Sequence, residues 1–146
     1  MDRSGIEKIL PHRYPMLLLD EVENVDGEAR GKYTVRGDEF FLDGHFPSMK
    51  IVPGVILCEI LAQSACTLLD KKVSDGMFPV YTGLEKVRFK SPVLPGDTFS
   101  TKCRIVKAKG PFYFLEGVGE VDGKEVVSAS FSFALVPGES VCSRRS

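Results

Sequence analysis

Glu59 stands within Val55-Ile56-Leu57-Cys58-Glu59-Ile60-Leu61-Ala62, where it is the only charge. An ionised carboxylate in such surroundings is costly unless its proton affinity rises or a strong partner holds it. Gln63 follows at i+4 and Thr67 at i+8. On a helix these three make one narrow polar stripe. Such a stripe serves equally as a seam that satisfies neighbouring backbone. His45 lies 14 positions before Glu59, in Gly44-His45-Phe46-Pro47. Imidazole titrates near neutrality and can act as a base, while a desolvated carboxyl can act as an acid. Pro53-Gly54 opens the apolar run. A helix begun there exposes free N–H donors at the positive end of its dipole, and glycine admits a ligand close to them. Read plainly, Pro-Gly also just starts a helix. Base, acid and oxyanion donor together suit proton abstraction α to a thioester carbonyl. The sequence has no G-x-S-x-G nucleophile motif and no phosphate-binding glycine motif.

These residues need elements to hold them. Ser4 and Glu7 form a capping box, which predicts a short helix through Leu10 that Pro11 stops. Residues 11–15 carry two prolines and read as an ordered loop. A strand over 16–25 and its return over 28–36 flank Asp26-Gly27, a strong hairpin signal. Ala29, Gly31, Tyr33 and Val35 share one side of the return strand. The central helix should run from Pro53 to about Lys72. Strands are expected over 80–90, 98–108, 112–121 and 126–136, with Asp122-Gly123 turning the last pair. Along the final strand Val127, Ala129, Phe131, Phe133 and Leu135 alternate with Ser128, Ser130 and Ser132. The pattern predicts an α+β chain: about six antiparallel strands curled around one long helix, in a single domain over 1–136 with a loose tail over 137–146.

Composition narrows the function. The chain has 146 residues, one domain's worth, with 19 Lys+Arg against 20 Asp+Glu and a net charge of −1. That balance argues against a nucleic-acid partner. No apolar run reaches the roughly 18 residues of a membrane span. Cys58, Cys66, Cys103 and Cys142 form no C-x-x-C pair, and with only two histidines no metal site is expected. Reduced thiols fit a cytoplasmic protein. The helix run is apolar nearly all round, so a small domain must wrap it completely or share it with a partner.

Five motifs stand together: Leu10-Pro11-His12-Arg13-Tyr14-Pro15 with Leu18-Leu19-Asp20; Phe40-Phe41-x-x-Gly44-His45-Phe46-Pro47; Pro53-Gly54-Val55; Glu59-x-x-Ala62-Gln63; and Val87-Arg88-Phe89 with Pro92-Val93 and Pro95-Gly96-Asp97. Over residues 6–136 the chain resembles the FabZ-type β-hydroxyacyl-acyl carrier protein dehydratases of type II fatty acid synthesis. Glu59 separates it from the related dehydratase–isomerases, which carry Asp there. The resemblance implies a hot-dog fold and dehydration of (3R)-3-hydroxyacyl-acyl carrier protein to the trans-2-enoyl product, without a cofactor. It implies a homodimer, often assembled as a trimer of dimers, in which His45 of one protomer faces Glu59 of its partner. His45 and Glu59 are then the catalytic pair, Gly54 polarises the thioester carbonyl and Gln63 orients Glu59. Tyr81 matches a position lining the acyl tunnel entrance, or else packs in the core. The acidic carrier would dock on a basic strip of Lys86, Arg88 and Lys90, joined by Arg13; a plain solvated strand face is the other reading. The family often has Pro where Lys50 stands and Met where Val52 stands. Two other readings use the same residues: a hot-dog thioesterase in which Glu59 activates water, and a non-catalytic acyl-thioester binding module.

Overall fold

The computed structural model describes residues 1–43, 49–69 and 75–139. Two turns set the frame. Asp26 and Gly27 both take positive φ (52° and 80°), as do Asp122 and Gly123 (53° and 78°). Two consecutive left-handed residues match the twist of the strands they join. The first turn joins β1 (Glu21–Val25) to β2 (Glu28–Thr34), and the second joins β5 (Phe112–Val121) to β6 (Lys124–Pro137). Between them lie α2 (Gly54–Cys66), β3 (Met77–Phe89) and β4 (Thr98–Lys109). All six strands form one antiparallel sheet in the order β1-β2-β4-β5-β6-β3. The chain therefore leaves the sheet after β2, lays down α2, and returns at the far edge.

Alternation decides which face meets the helix. Val127, Ala129, Phe131, Phe133 and Leu135 of β6 are buried, and so are Phe99, Thr101 and Cys103 of β4. The serines of β6 face the other way and are half-buried. The sheet curls over α2, which contacts β2, β4, β5 and β6. This is the hot-dog arrangement. Over residues 57–66 of α2, every residue except Glu59 is buried. A single chain thus wraps most of the apolar helix. What it leaves outside is the helix start, where Val55 is 72% exposed, and apolar residues of edge strand β3 such as Phe89 and Leu84.

Several expected boundaries shift, each for a local reason. Helix α1 spans Arg3–Glu7, and its N-cap is Asp2, whose carboxylate accepts the Gly5 N–H at 3.0 Å. Ser4 therefore falls inside the helix rather than at its cap. The first strand begins at Glu21 instead of residue 16, although Leu17, Leu18 and Leu19 are fully buried. The Leu18 N–H is taken by the Gln63 side chain, so no neighbouring strand pairs there. Helix α2 ends at Cys66 and tightens into a 3-10 turn at Thr67–Leu69. The helix end expected at Lys71 and Lys72 lies outside the described residues. Strands β3 and β6 are longer than expected, β6 running through Pro137.

Small residues let α2 lie close to the sheet. A Cβ on Gly31 would stand 2.5 Å from Ser64 Oγ and 2.9 Å from Leu19 Cδ2. The Thr101 hydroxyl accepts the Gly31 N–H and donates to Ser64, tying β2, β4 and α2 together. Gly31→Ala is expected to destabilise the chain by about 1–3 kcal/mol through overpacking. The melting midpoint should fall by several degrees in calorimetry; an unchanged midpoint would mean the helix can lift off freely.

Candidate active site

Gln63 is 1% exposed and every polar atom of its amide is used. Its Oε1 accepts the Leu18 N–H at 2.9 Å. Its Nε2 donates to the Met16 carbonyl at 2.7 Å and to Glu59 Oε1 at 3.1 Å. The Leu18 N–H can be met only by an acceptor, so the amide has one orientation and must present N–H to Glu59. Glu59 is thus held by a partner, one of the two outcomes its surroundings demand. It is also the point where the buried helix opens to a small space.

A second group reaches the same oxygen. His12 Nε2 lies 3.4 Å from Glu59 Oε1. Its loop is shaped by Arg13, whose guanidinium donates to the carbonyls of Glu7, Leu10 and His12. His12 Nδ1 is buried with no hydrogen-bond partner among the described residues. His12, Glu59, Gln63, Cys66, Tyr81 and Phe133 line a cavity of about 140 Å³. The Tyr81 hydroxyl donates to the Cys58 carbonyl at 3.0 Å. Burial pushes the Tyr81 phenol and the Cys66 thiol up from their ordinary ranges, and the Glu59 charge adds to both. Both therefore stay protonated. The result is a largely apolar cavity with one carboxylate at its wall, an arrangement suited to proton transfer beside an apolar chain.

The structure does not bring Gly54 to this cavity. From Gly54 to Glu59 is five residues, which turns the helix through about 500°, leaving the two about 140° apart around its axis. Gly54 borders a different cavity of about 570 Å³, lined also by Val52, Val55, Leu57, Phe89 and Pro92. A Cβ on Gly54 would meet the Phe89 ring at 2.7 Å, so packing alone already calls for glycine. His45 lies outside the described residues.

The expected basic strip needs correcting in its geometry. Lys86, Arg88 and Lys90 do not alternate along a regular strand. A bulge falls between Glu85 and Arg88, with Lys86 at φ 51°. Arg88 pairs in register with Ser128 and is exposed. Lys90 lies past the strand end and is ion-paired with Glu125. Arg13 is exposed but spends its donors on its own loop.

Sequence reasoning missed two residues, His12 and Glu39. Only the Leu10–Pro15 motif held His12, and nothing tied it to Glu59. Glu39 is 5% exposed and fully satisfied. Its Oε2 accepts the Tyr33 hydroxyl at 2.7 Å and the Arg36 N–H at 2.8 Å, and its Oε1 accepts the Gly37 N–H at 2.8 Å. The only signal was an acid set directly against Phe40-Phe41.

A FabA-like domain model matches residues 10–130. The 3-hydroxyacyl-[acyl-carrier-protein] dehydratase FabZ of Clostridium beijerinckii is 44% identical over 90% of this chain and 96% of its own length. The enzyme of the same name from Streptococcus equi subsp. zooepidemicus is 42% identical over 92% of this chain and 98% of its own. The chain belongs to the FabA-like family, and within it to the FabZ-type dehydratases, which are hydro-lyases. Among solved structures, the dehydratase heterocomplex ApeI:P of Xenorhabdus doucetiae matches with a TM-score of 0.77 at 20% identity, covering 94% of each chain. A hot-dog-like protein of Thermanaerovibrio acidaminovorans gives 0.69 at 17% identity, over 81% of this chain and 87% of that one. These two likenesses establish the hot-dog fold. No helix among the described residues is long and apolar enough to cross a membrane.

Burial pushes the Glu39 carboxyl up, but the donors from Arg36, Tyr33 and Gly37 outweigh it and hold the group below the usual carboxylate range. Its ionised form therefore favours the folded chain. That contribution is complete above the unfolded value of about 4.3. It is lost as pH falls through the lower folded value. Urea midpoints followed downward from neutral pH should drop more steeply in the native chain than in Glu39→Gln; parallel curves would contradict this assignment.

Proposed function

We propose that this chain removes water from (3R)-3-hydroxyacyl groups carried on acyl carrier protein, giving trans-2-enoyl-acyl carrier protein in type II fatty acid biosynthesis in the cytoplasm. The observation that carries the reading is Glu59, held by Gln63 at the wall of an apolar cavity. The acyl chain would lie along Tyr81 and Phe133. His45 takes the C2 proton, and the C2 electron pair forms the C2=C3 double bond. The C3–O bond breaks as Glu59 delivers a proton, so the hydroxyl leaves as water. The Gly54 N–H stabilises charge on the thioester oxygen at the positive end of α2.

The separation of Gly54 from Glu59 around α2 supports a site shared across a two-fold axis. His45 and Gly54 of one protomer would meet Glu59 of its partner. The exposed Val55 and Phe89 beside the helix start supply apolar surface for that pairing. Assembly of three such dimers belongs to the same proposal.

Hydration of crotonyl- and longer enoyl-carrier substrates, followed by loss of enoyl absorbance, tests the roles. His45→Ala and Glu59→Gln should each lose about 100- to 10,000-fold in kcat. Near-full activity in either would overturn the assignment. Retention by His45→Ala with loss in His12→Ala would make His12 the base. Thiol release in place of hydration would identify a thioesterase.

Lys86, Arg88 and Lys90 are proposed to dock the acidic carrier, with Arg88 the central cation. Arg88→Glu should raise KM for carrier-linked substrate, and added salt should raise KM in the native chain. An unchanged KM in Arg88→Glu would remove this surface from the account.

A further inference from the structure

We infer that His12 is a positioning residue for Glu59: together with Gln63 it reserves Oε1 as an acceptor, so that the acid proton is carried on Oε2. The inference rests on the reading of Glu59 as the acid. Its ground is that two side-chain nitrogens converge on one carboxyl oxygen. Gln63 Nε2 lies 3.1 Å from Glu59 Oε1, and His12 Nε2 lies 3.4 Å from it. Among the described residues no donor reaches Oε2. A proton on Oε1 would point at two N–H groups, whereas a proton on Oε2 leaves Oε1 open to accept from both.

The imidazole offers that N–H in one tautomer only, and its other nitrogen decides which. His12 Nδ1 is buried and meets no partner among the described residues. A proton there would be a buried donor without an acceptor, so the ring proton belongs on Nε2, facing Glu59. The same geometry closes two other roles. An Nε2–H has no lone pair to take a substrate proton, so His12 is not a base. With Nδ1 sealed from solvent, the ring has no second end through which to relay a proton. The loop holds the ring in place. The Arg13 guanidinium gathers the carbonyls of Glu7, Leu10 and His12, and the Arg13 carbonyl accepts the Met16 and Leu17 N–H groups. The Met16 carbonyl in turn accepts Gln63 Nε2 at 2.7 Å. Both donors to Oε1 are therefore tied to one frame. At 3.4 Å the His12 approach is longer than the roughly 2.7–3.2 Å of a formed N–H···O bond. Acid–base sites often hold such contacts long until substrate closes them.

The test uses the full chain and its carrier-linked substrate. His12→Phe keeps a ring and removes the donor; it should lower kcat about 3- to 30-fold, with KM within about twofold of native. His12→Gln sets an amide nitrogen where Nε2 stood and should restore most of the rate. His12→Asn sets its amide at the Nδ1 position and should not. Heteronuclear NMR of the native chain reads the tautomer directly at alkaline pH, where a free imidazole is neutral. The chain has two histidines, so His45→Ala leaves one ring to assign. The Nε2–H form is expected, and an Nδ1–H form would overturn the inference. Native kcat in His12→Phe, a loss shared equally by His12→Gln, rescue by His12→Asn, or a rise in KM at unchanged kcat would each overturn it too. With Glu59→Gln inactive, any of these results removes the role of His12 and leaves the catalytic reading standing. An active Glu59→Gln removes that reading and this inference together. Should the His12 variants fail to fold, the tautomer of the native ring decides.

Discussion

The side-chain amide of Gln63 makes three hydrogen bonds at once, two to the N-terminal segment and one within its own helix. Two of them hold the extended backbone at Met16 and Leu18 against α2, where no strand pairing is available. The third is given to the Glu59 carboxyl. Because Leu18 offers only a donor, Gln63 cannot turn its carbonyl toward Glu59. Packing of the N-terminal segment therefore dictates how the one acid on a buried helix is oriented. Arg13 extends the same logic outward, gathering three carbonyls so that the His12 loop closes on Glu59.

The second constraint is angular. A straight helix carries residues five apart to nearly opposite sides, so a donor at Gly54 and an acid at Glu59 belong to separate cavities of one chain. The cavity by Glu59 is small, and its phenol and thiol remain protonated. It is suited to an alkyl chain with one polar reacting end. The cavity by Gly54 lies beside the exposed Val55 and Phe89. Such apolar surface at the mouth of a half-site is what a self-complementary pairing would cover, and the proposed mechanism uses it in that way.

Much of this fold could be read from residue order. The Asp-Gly pairs fixed two hairpins because few residue pairs tolerate two positive φ values. The alternation along β6 named its buried face correctly because one side of that strand meets only the core. Local signals failed where a distant side chain intervened. Residues 17–19 look like a strand and are buried like one, yet Gln63, 45 residues away, takes the Leu18 amide. Lys86, Arg88 and Lys90 look evenly spaced until the bulge at Lys86 breaks the alternation. Glu39 resembles any loop acid, since its three donors come from β2 and the turn after it. Of the site itself, the Glu59–Gln63 pair was legible from i+4 spacing, whereas the approach of His12 depends on a loop built by Arg13.

The central claim is that each site is completed by two chains. Co-expressing His45→Ala and Glu59→Gln chains under separate tags and isolating the mixed dimers tests it directly. The account predicts that mixed dimers regain activity, because one of their two sites then combines an intact His45 with an intact Glu59 from its partner. Full random exchange of the two variants should restore about a quarter of native activity per site, since half the dimers are mixed and each holds one intact site. Mixed dimers as inactive as their parents would place both residues of each site on a single chain and contradict the account.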